Sequence, residues 1–260
     1  MGILSNIGKW VFENIPAVAS VVKNAGELAH KSVSIVDILF EGKTILAEGE
    51  EQQILSRQIA AKETNELKHH RIQFQIDALE LVIFASTFER FSNNINLHAA
   101  NLQTHLQVIQ NTEGLLGDMN RQRVAVKALM GTVNHLVNVL GLGSKVNKIE
   151  GLDIDIRLGS ISILAAYEAF ENSRSLLLRD IDSFSKAIQE QLVRIENVRS
   201  AVRHIPDINQ KVSSWLETSV EPKLIDAQKH AKKLKGELLS VSHLEASLRR
   251  DLKTLKQDDL

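Results

Sequence analysis

The chain contains no cysteine among its 260 residues, and it has only three prolines, 13 glycines and 4% aromatic residues. The absence of cysteine excludes disulfide scaffolds, thiolate zinc sites and cysteine nucleophiles. So few prolines and glycines cannot punctuate the many short strands of a β-rich fold. Hydrophobic residues make up 43% of the chain, which is enough to bury a core. The composition therefore favours an all-α protein.

The chain also lacks an excess of either charge, since 31 basic and 32 acidic residues leave a formal net charge of −1. A protein that binds duplex nucleic acid usually carries a basic excess, because phosphate neutralisation supplies much of its affinity. We therefore expect no nucleic-acid partner.

Long apolar runs are missing as well. The apolar stretch Val33–Leu46 contains Asp37, Glu41 and Lys43, and no window approaches the roughly 20 apolar residues of a membrane-spanning helix. The N-terminal residues lack the pattern of a signal peptide. We expect a chain that is soluble and cytoplasmic as synthesised, and that then lies peripherally on a membrane or is released without a signal peptide.

The longest uninterrupted stretch runs from Glu50 to Glu113 and contains neither glycine nor proline. At about 1.5 Å per residue, such a stretch would form a helix on the order of 90 Å long. Apolar residues in its second half recur at steps of three, four and seven, the seam of a helix that packs on others: Ile72, Ile76, Leu79, Ile83, Phe88, Phe91, Ile95, Leu102, Leu106 and Ile109. Val82 and Phe84 widen this seam, which predicts contact with two neighbours. We predict one long helix over 44–113.

The segment before this helix, residues 1–43, has the pattern of amphipathic helices. Pro16 is placed where a second helix could begin, with Asn14 as its cap, and Gly42 indicates a turn. The sequence thus predicts short N-terminal helices rather than one continuous helix.

Glycines punctuate the segment after the long helix, and we predict a small cap over 114–159. Gly114 and Gly117 are expected to end the helix. Leu152–Leu158 alternates apolar and charged residues, which predicts a short strand, with Lys145–Ile149 as its partner in a hairpin.

Residues 160–260 predict two more long helices with heptad-like seams, interrupted at Pro206 and Pro222. Long helices must fold back on one another to bury such seams. The predicted fold is all-α: an elongated antiparallel bundle of long coiled-coil-like helices with a small glycine-punctuated cap.

No pattern in the sequence points to catalysis, since phosphate loops and hydrolase motifs are missing. Glu-x-x-His occurs at Glu27/His30 and at Glu66/His69, but the further acids that a di-metal bundle needs do not accompany these pairs. We expect no enzyme, no catalytic residue, no metal, no cofactor and no small-molecule substrate.

The N-terminus carries an apolar stripe with a tryptophan and a nearby lysine, a combination typical of helices that lie on membranes. Its residues recur at three- and four-residue steps: Ile3, Leu4, Ile7, Trp10 and Val11. We predict these five as the membrane-binding residues. The alternative is that the same stripe packs on the protein's own bundle.

Two helical regions separated by a glycine-punctuated insert resemble the layout of helical pore-forming toxins of the cytolysin A type. The resemblance implies a head at Gly114–Gly159 and a tongue at Leu152–Leu158, although Asp153, Asp155 and Arg157 make this tongue more polar than the family's. The opening residues MGILSN are also similar to the start of phage-shock-type membrane-remodelling proteins.

The sequence therefore predicts a non-enzymatic, membrane-interacting helical-bundle protein of the pore-forming or membrane-remodelling type. Its partners would be a membrane lipid surface or partner helices, and we expect a homo-oligomer. The alternative function is a cytosolic coiled-coil scaffold or assembly subunit that binds partner helices.

Overall fold

The computed structural model describes residues 3–59, 65–140, 149–204 and 209–257, with side-chain surroundings for 4–45, 69–125 except 82 and 123, 158–204 and 210–251. Within these ranges the chain forms no strand and six α-helices: α1 Ile3–Ile59, α2 Asn65–Leu140, α3 Ile149–Arg203, α4 Asn209–Trp215, α5 Glu221–Ser240 and α6 Ala246–Gln257. A π-helical turn, Leu216–Val220, joins α4 to α5. The predicted all-α class, with helices that pack against one another, is confirmed.

Helix α1 continues through both points where the sequence predicted a break, so that part of the prediction is wrong. Pro16 lies inside the helix, and Gly42 is also helical. Proline removes one main-chain hydrogen bond and crowds the preceding turn. Pro16 is exposed, whereas Val11 and Val18 on either side of it are buried. Burial of the apolar face on both sides holds α1 in one piece across the proline.

The prediction that Gly114 and Gly117 end the long helix is also wrong, because both lie inside α2. A Cβ atom at either position would meet nothing within 4 Å, so each glycine costs only its poor helix propensity, about 1 kcal/mol. The predicted strand and tongue at Leu152–Leu158 is wrong too, since these residues belong to α3. Most of its predicted hairpin partner, residues 145–148, lies outside the described residues.

The chain divides into two compact units. Unit 1 comprises Met1–Ala19, Ala100–Arg174 and Leu239–Leu260. In its interior Leu116 of α2 packs against Gly159 of α3, where an added Cβ would come within 2.4 Å of the leucine Cδ2. Gly159 therefore allows a close helix contact. The division into the four predicted segments 1–43, 44–113, 114–159 and 160–260 remains a prediction.

Unit 2 comprises Ser20–Ala99 and Ser175–Leu238. Its core contains fully buried phenylalanines from two helices, and the rings of Phe88 and Phe184 meet edge to face at 5.2 Å. At another point the indole of Trp215 lies directly against Gly42 of α1. Aromatic side chains from α2, α3 and α4 thus join the helices of this unit.

The face of α2 that enters the core differs from the predicted seam over residues 72–85. The buried apolar residues there are Phe74, Ala78, Leu81, Phe84 and Ala85. The predicted seam residues Ile72, Ile76, Leu79 and Ile83 are exposed instead, so this part of the prediction is wrong. Both faces of this helix section are apolar, and among the described side chains only the face of Phe74 and Leu81 is buried.

Candidate functional site

The N-terminal apolar stripe is mostly buried inside unit 1. Ile7, Trp10 and Val11 are buried, with 6% of Trp10 exposed, and Leu4 is half-buried. Ile3 is helical, but its side chain lies outside the described ones. Three of the five predicted membrane-binding residues, Ile7, Trp10 and Val11, therefore lie in the core of unit 1, as the alternative from the sequence had expected. Whether they bind lipid in another state stays a prediction.

Trp10 is the centre of an aromatic cluster. Its ring meets those of Tyr167 and Phe170 edge to face, with centroids 5.6 and 5.5 Å away. Its indole N–H donates a hydrogen bond to the main-chain carbonyl of Ser242, at 3.1 Å. Because the ring is buried, an indole nitrogen without an acceptor would be costly. The position of Trp10 thus depends on the turn that contains Ser242.

That turn, Val241–Glu245, joins α5 to α6 and is not helical, so its main-chain groups need partners from elsewhere. Trp10 bonds the Ser242 carbonyl, and Asn14 of α1 bonds the Ser242 amide, since its Oδ1 accepts from that amide at 2.8 Å. Asn14 Nδ2 also donates to the Ser242 side-chain hydroxyl at 2.8 Å. Tyr167 of α3 supplies a third main-chain partner, because its hydroxyl accepts from the Leu244 amide at 3.2 Å. Side chains of α1 and α3 therefore hold the turn in place.

Ionisable groups surround the same turn. The Glu171 carboxylate accepts a hydrogen bond from the Tyr167 hydroxyl and lies 3.0 Å from Nδ1 of His243. Arg174 Nη1 lies 2.6 Å from the other ring nitrogen of His243. The same Arg174 nitrogen also lies 2.9 Å from Nδ1 of His243, so a guanidinium, which can only donate, and the Glu171 carboxylate both meet this imidazole ring. Burial, followed by the nearby Glu171 charge, raises the pKa of Tyr167 to about 12.

Helix α6 follows the turn and contacts the same tyrosine. Leu248 is buried, and the Arg249 guanidinium lies 5.9 Å from the centroid of the Tyr167 ring. Arg249 and the following Arg250 are exposed. One buried tyrosine thus contacts both the turn and the first residues of α6.

Unit 1 also has apolar side chains in water that the sequence analysis did not single out as binding residues. Phe12 is 77% exposed, directly after the buried Trp10 and Val11. Leu115, Val124 and Leu158 are exposed as well, and all three belong to the predicted cap segment. The sequence could have predicted that Phe12 is exposed, because one helix turn cannot bury residues 10, 11 and 12 on the same face.

Glu27, one of the residues considered for metal binding, has another partner. Glu27 accepts from His230 Nε2 at 3.0 Å, and this hydrogen bond is the main reason why the pKa of Glu27 is lowered. His98 lies 3.3 Å from the buried Asp180. The part of the chain that the structure describes contains no group of three or more His, Asp or Glu side chains able to hold a metal ion. The expected absence of a metal or cofactor remains a prediction.

None of the helices in the described ranges is long and apolar enough to cross a bilayer. No protein-family model, curated protein or solved structure matches the chain.

Proposed function

We propose that the chain is a non-enzymatic helical-bundle protein that binds membrane surfaces through unit 1, in the manner of pore-forming or membrane-remodelling proteins. The observation that supports this best is the exposure of Phe12 beside the buried Trp10 and Val11. A large aromatic residue in water on an amphipathic N-terminal helix is suited to a first contact with lipid. The exposed Leu115 and Leu158 add further apolar surface on the same unit.

The N-terminal stripe is covered by the turn Val241–Glu245, and this turn is held in a way that allows it to open. The turn Val241–Glu245 is held by hydrogen bonds from Asn14, Trp10 and Tyr167. Each such bond stabilises the folded state by only about 1 kcal/mol, because water satisfies the same groups after opening. Opening the turn would expose apolar side chains that a lipid surface can accept. The five stripe residues, Ile3, Leu4, Ile7, Trp10 and Val11, would then enter the interface.

The proposed architecture is an antiparallel coiled-coil-like bundle with segment 114–159 as its cap. Contacts between α2 and α3 in unit 2 support the antiparallel direction. Glu80 forms an ion pair with Arg194, and Phe88 packs on Phe184. As the residue numbers increase along α2, the numbers of their partners on α3 therefore decrease. The proposal requires no catalytic residue, cofactor, metal, nucleic acid or small-molecule substrate.

The first test is co-sedimentation with anionic and neutral liposomes, comparing Phe12→Ser with Phe40→Ser. Phe40 is a matched control, since it is an exposed phenylalanine on the same helix in unit 2. Burial of a phenylalanine side chain contributes about 2 kcal/mol, so Phe12→Ser should weaken binding by more than tenfold while Phe40→Ser binds like the parent. Equal binding by all three proteins, or no binding at all, would contradict the proposal.

A second test locks the turn. The chain has no cysteine, so Asn14→Cys combined with Ser242→Cys introduces one defined pair where two side chains now form a hydrogen bond. We expect the oxidised protein to bind liposomes weakly and the reduced protein, which lacks the Asn14 hydrogen bonds, to bind at least as well as the parent. A locked protein that binds as well as the reduced one would exclude release of the N-terminal stripe.

The alternative function is an assembly subunit that binds partner helices. A different observation favours it: the exposed apolar residues Ile72, Ile76, Leu79 and Ile83 on α2. The two functions are compatible, since these residues belong to unit 2 and the N-terminal stripe to unit 1.

A further inference from the structure

Helix α2 carries an exposed apolar stripe, Ile72, Ile76, Leu79 and Ile83, named here the α2 stripe. Between 48% and 61% of each residue is exposed. At 3.6 residues per turn the four positions fall within about 60° of the helix circumference. They lie on the opposite side from Phe74 and Leu81, which enter the core of unit 2.

This section of α2 is therefore apolar on two opposite faces. A helix that is apolar all round belongs in an interior, with neighbours on each side. Its inner face is covered by the chain itself, where Phe88 packs on Phe184. The outer face, the α2 stripe, has no covering contact among the described residues. On the inner side α2 also meets α1, where Ser92 donates a hydrogen bond to the main-chain carbonyl of Ala29. A partner on the α2 stripe would therefore add a neighbour on the outer side.

The α2 stripe is large enough to contribute substantially to an interface. Its four half-exposed side chains leave on the order of 400 Å² of apolar surface in water, the size of the largest patch on a typical monomer. Two such surfaces facing each other would bury about 800 Å², and the side chains around them would bring the total towards the roughly 1,200 Å² of the smaller specific interfaces.

The charges around the α2 stripe favour a protein partner over an anionic membrane. Helices that lie on such membranes carry lysine and arginine on the polar face that borders the apolar one. Here the residues that border the stripe along its length are the uncharged Gln73, Gln75 and Thr87, and Glu80 is already paired with Arg194. Basic residues lie only beyond the two ends of the stripe, at 68–71 and at 90. Two copies of this surface would meet without bringing uncompensated like charges together.

We propose that the α2 stripe binds a second copy of this chain in antiparallel orientation, an inference that rests on the assembly function. The steps between the four residues are four, three and four, which read the same in both directions. A two-fold axis between Ile76 and Leu79 therefore places Ile72 opposite Ile83 of the second copy and Ile76 opposite its Leu79. Such self-complementary contacts are the commonest in homo-oligomers.

The antiparallel direction follows from Arg90, which lies on the same side of the helix one turn beyond Ser86. In a parallel pair the two exposed Arg90 side chains would lie directly opposite each other, and like charges at such a position are destabilising. In the antiparallel pair they are separated by about 25 residues of helix, on the order of 40 Å.

Sedimentation velocity of the full chain tests the location of the contact. We expect a dimer that dissociates on dilution, and Leu79→Glu should raise its dissociation constant at least 100-fold, because a two-fold contact carries the change twice. Val33→Glu is the matched control, an exposed apolar residue on α1 of the same unit, and it should leave the constant unchanged. A monomer at all concentrations would overturn both the pairing and homo-assembly. A dimer that survives Leu79→Glu would overturn the pairing on α2 alone.

Crosslinking tests the direction, since the parent chain has no thiols. Mixing Ile72→Cys and Ile83→Cys proteins under mild oxidation should give mainly the mixed disulfide between the two positions. Disulfides mainly between two copies of Ile72→Cys would exclude the antiparallel arrangement.

Discussion

The indole nitrogen of Trp10 donates a hydrogen bond across 3.1 Å to the carbonyl oxygen of Ser242, a residue 232 positions further along the chain. This contact joins the N-terminal helix to the turn before the last helix within unit 1. It also makes the predicted membrane-binding stripe and its cover parts of one arrangement. Changes to either residue should therefore affect both the stability of unit 1 and the availability of the stripe.

Asn14→Ala should loosen the turn Val241–Glu245. The change removes two hydrogen bonds to Ser242 and one to the Trp10 carbonyl, which should lower the free energy of unfolding by about 1–3 kcal/mol. Hydrogen exchange should show faster exchange of the turn amides. Asn24→Ala is the control, because Asn24 is a buried asparagine of α1 that bonds Glu237 in unit 2. Equal acceleration of the turn by both variants would contradict this role of Asn14.

Trp10→Phe should keep the aromatic packing but lose the hydrogen bond to Ser242, at a cost of about 1–2 kcal/mol. Trp10→Glu should cost more than about 4 kcal/mol, because it buries an unpaired carboxylate beside Tyr167 and Phe170. Urea unfolding measures both changes. The control is Lys9→Glu, on the exposed side of the same turn of α1. It should change the free energy of unfolding by less than about 0.5 kcal/mol. A fully stable Trp10→Glu protein would show that Trp10 is not buried in solution.

Alkaline pH should destabilise unit 1 through Tyr167. Its folded pKa of about 12 lies above the unfolded value near 10, so the stability that it contributes is fully present below pH 10 and is lost as the pH rises towards 12. The difference corresponds to about 2–3 kcal/mol. Tyr167 is the only tyrosine in the chain, so tyrosinate absorbance follows it alone. The Tyr167→Phe variant should not show this loss of stability between pH 10 and pH 12. If Tyr167 titrates near pH 10 in the folded protein, its burial is contradicted.

Two glycines of α1 should respond oppositely to alanine. In Gly42→Ala the new Cβ would come within 1.8 Å of Cζ2 of the buried Trp215, and relief of that overlap should cost about 1–3 kcal/mol. At Gly26 a Cβ meets nothing within 4 Å, so Gly26→Ala should stabilise the helix by about 0.5–1 kcal/mol. Thermal unfolding compares the two variants. A neutral Gly42→Ala would mean that Trp215 packs elsewhere.

Two of the helix boundaries predicted from the sequence are absent because packing acts against the local preference of the chain. Pro16 and Gly42 both indicate a break locally. Burial of Val11, Val18 and Leu39 in the units keeps α1 continuous across them. Gly114 and Gly117 were missed for a different reason, since exposed glycines cost little each in a long helix.

The candidate site, too, could be predicted from the sequence only in part. Periodicity identified Ile7, Trp10 and Val11 as one apolar face, and they do lie on one buried face. Periodicity could not name what covers that face, because Ser242 and Tyr167 are distant in the sequence. It also assigned the wrong residues of α2 to the core over 72–83, since both faces of that section are apolar.

The sequence by itself determined the all-α class and the amphipathic character of the N-terminus, because composition and helical spacing are local properties of the chain. The tertiary structure alone decided that Trp10 is covered by the turn at Ser242, that Gly42 makes room for Trp215, and which apolar face of α2 stays in water. These outcomes depend on contacts between residues far apart in the chain. Local preferences of about 1 kcal/mol per residue cannot specify them, whereas burial of a large side chain contributes two or three times as much.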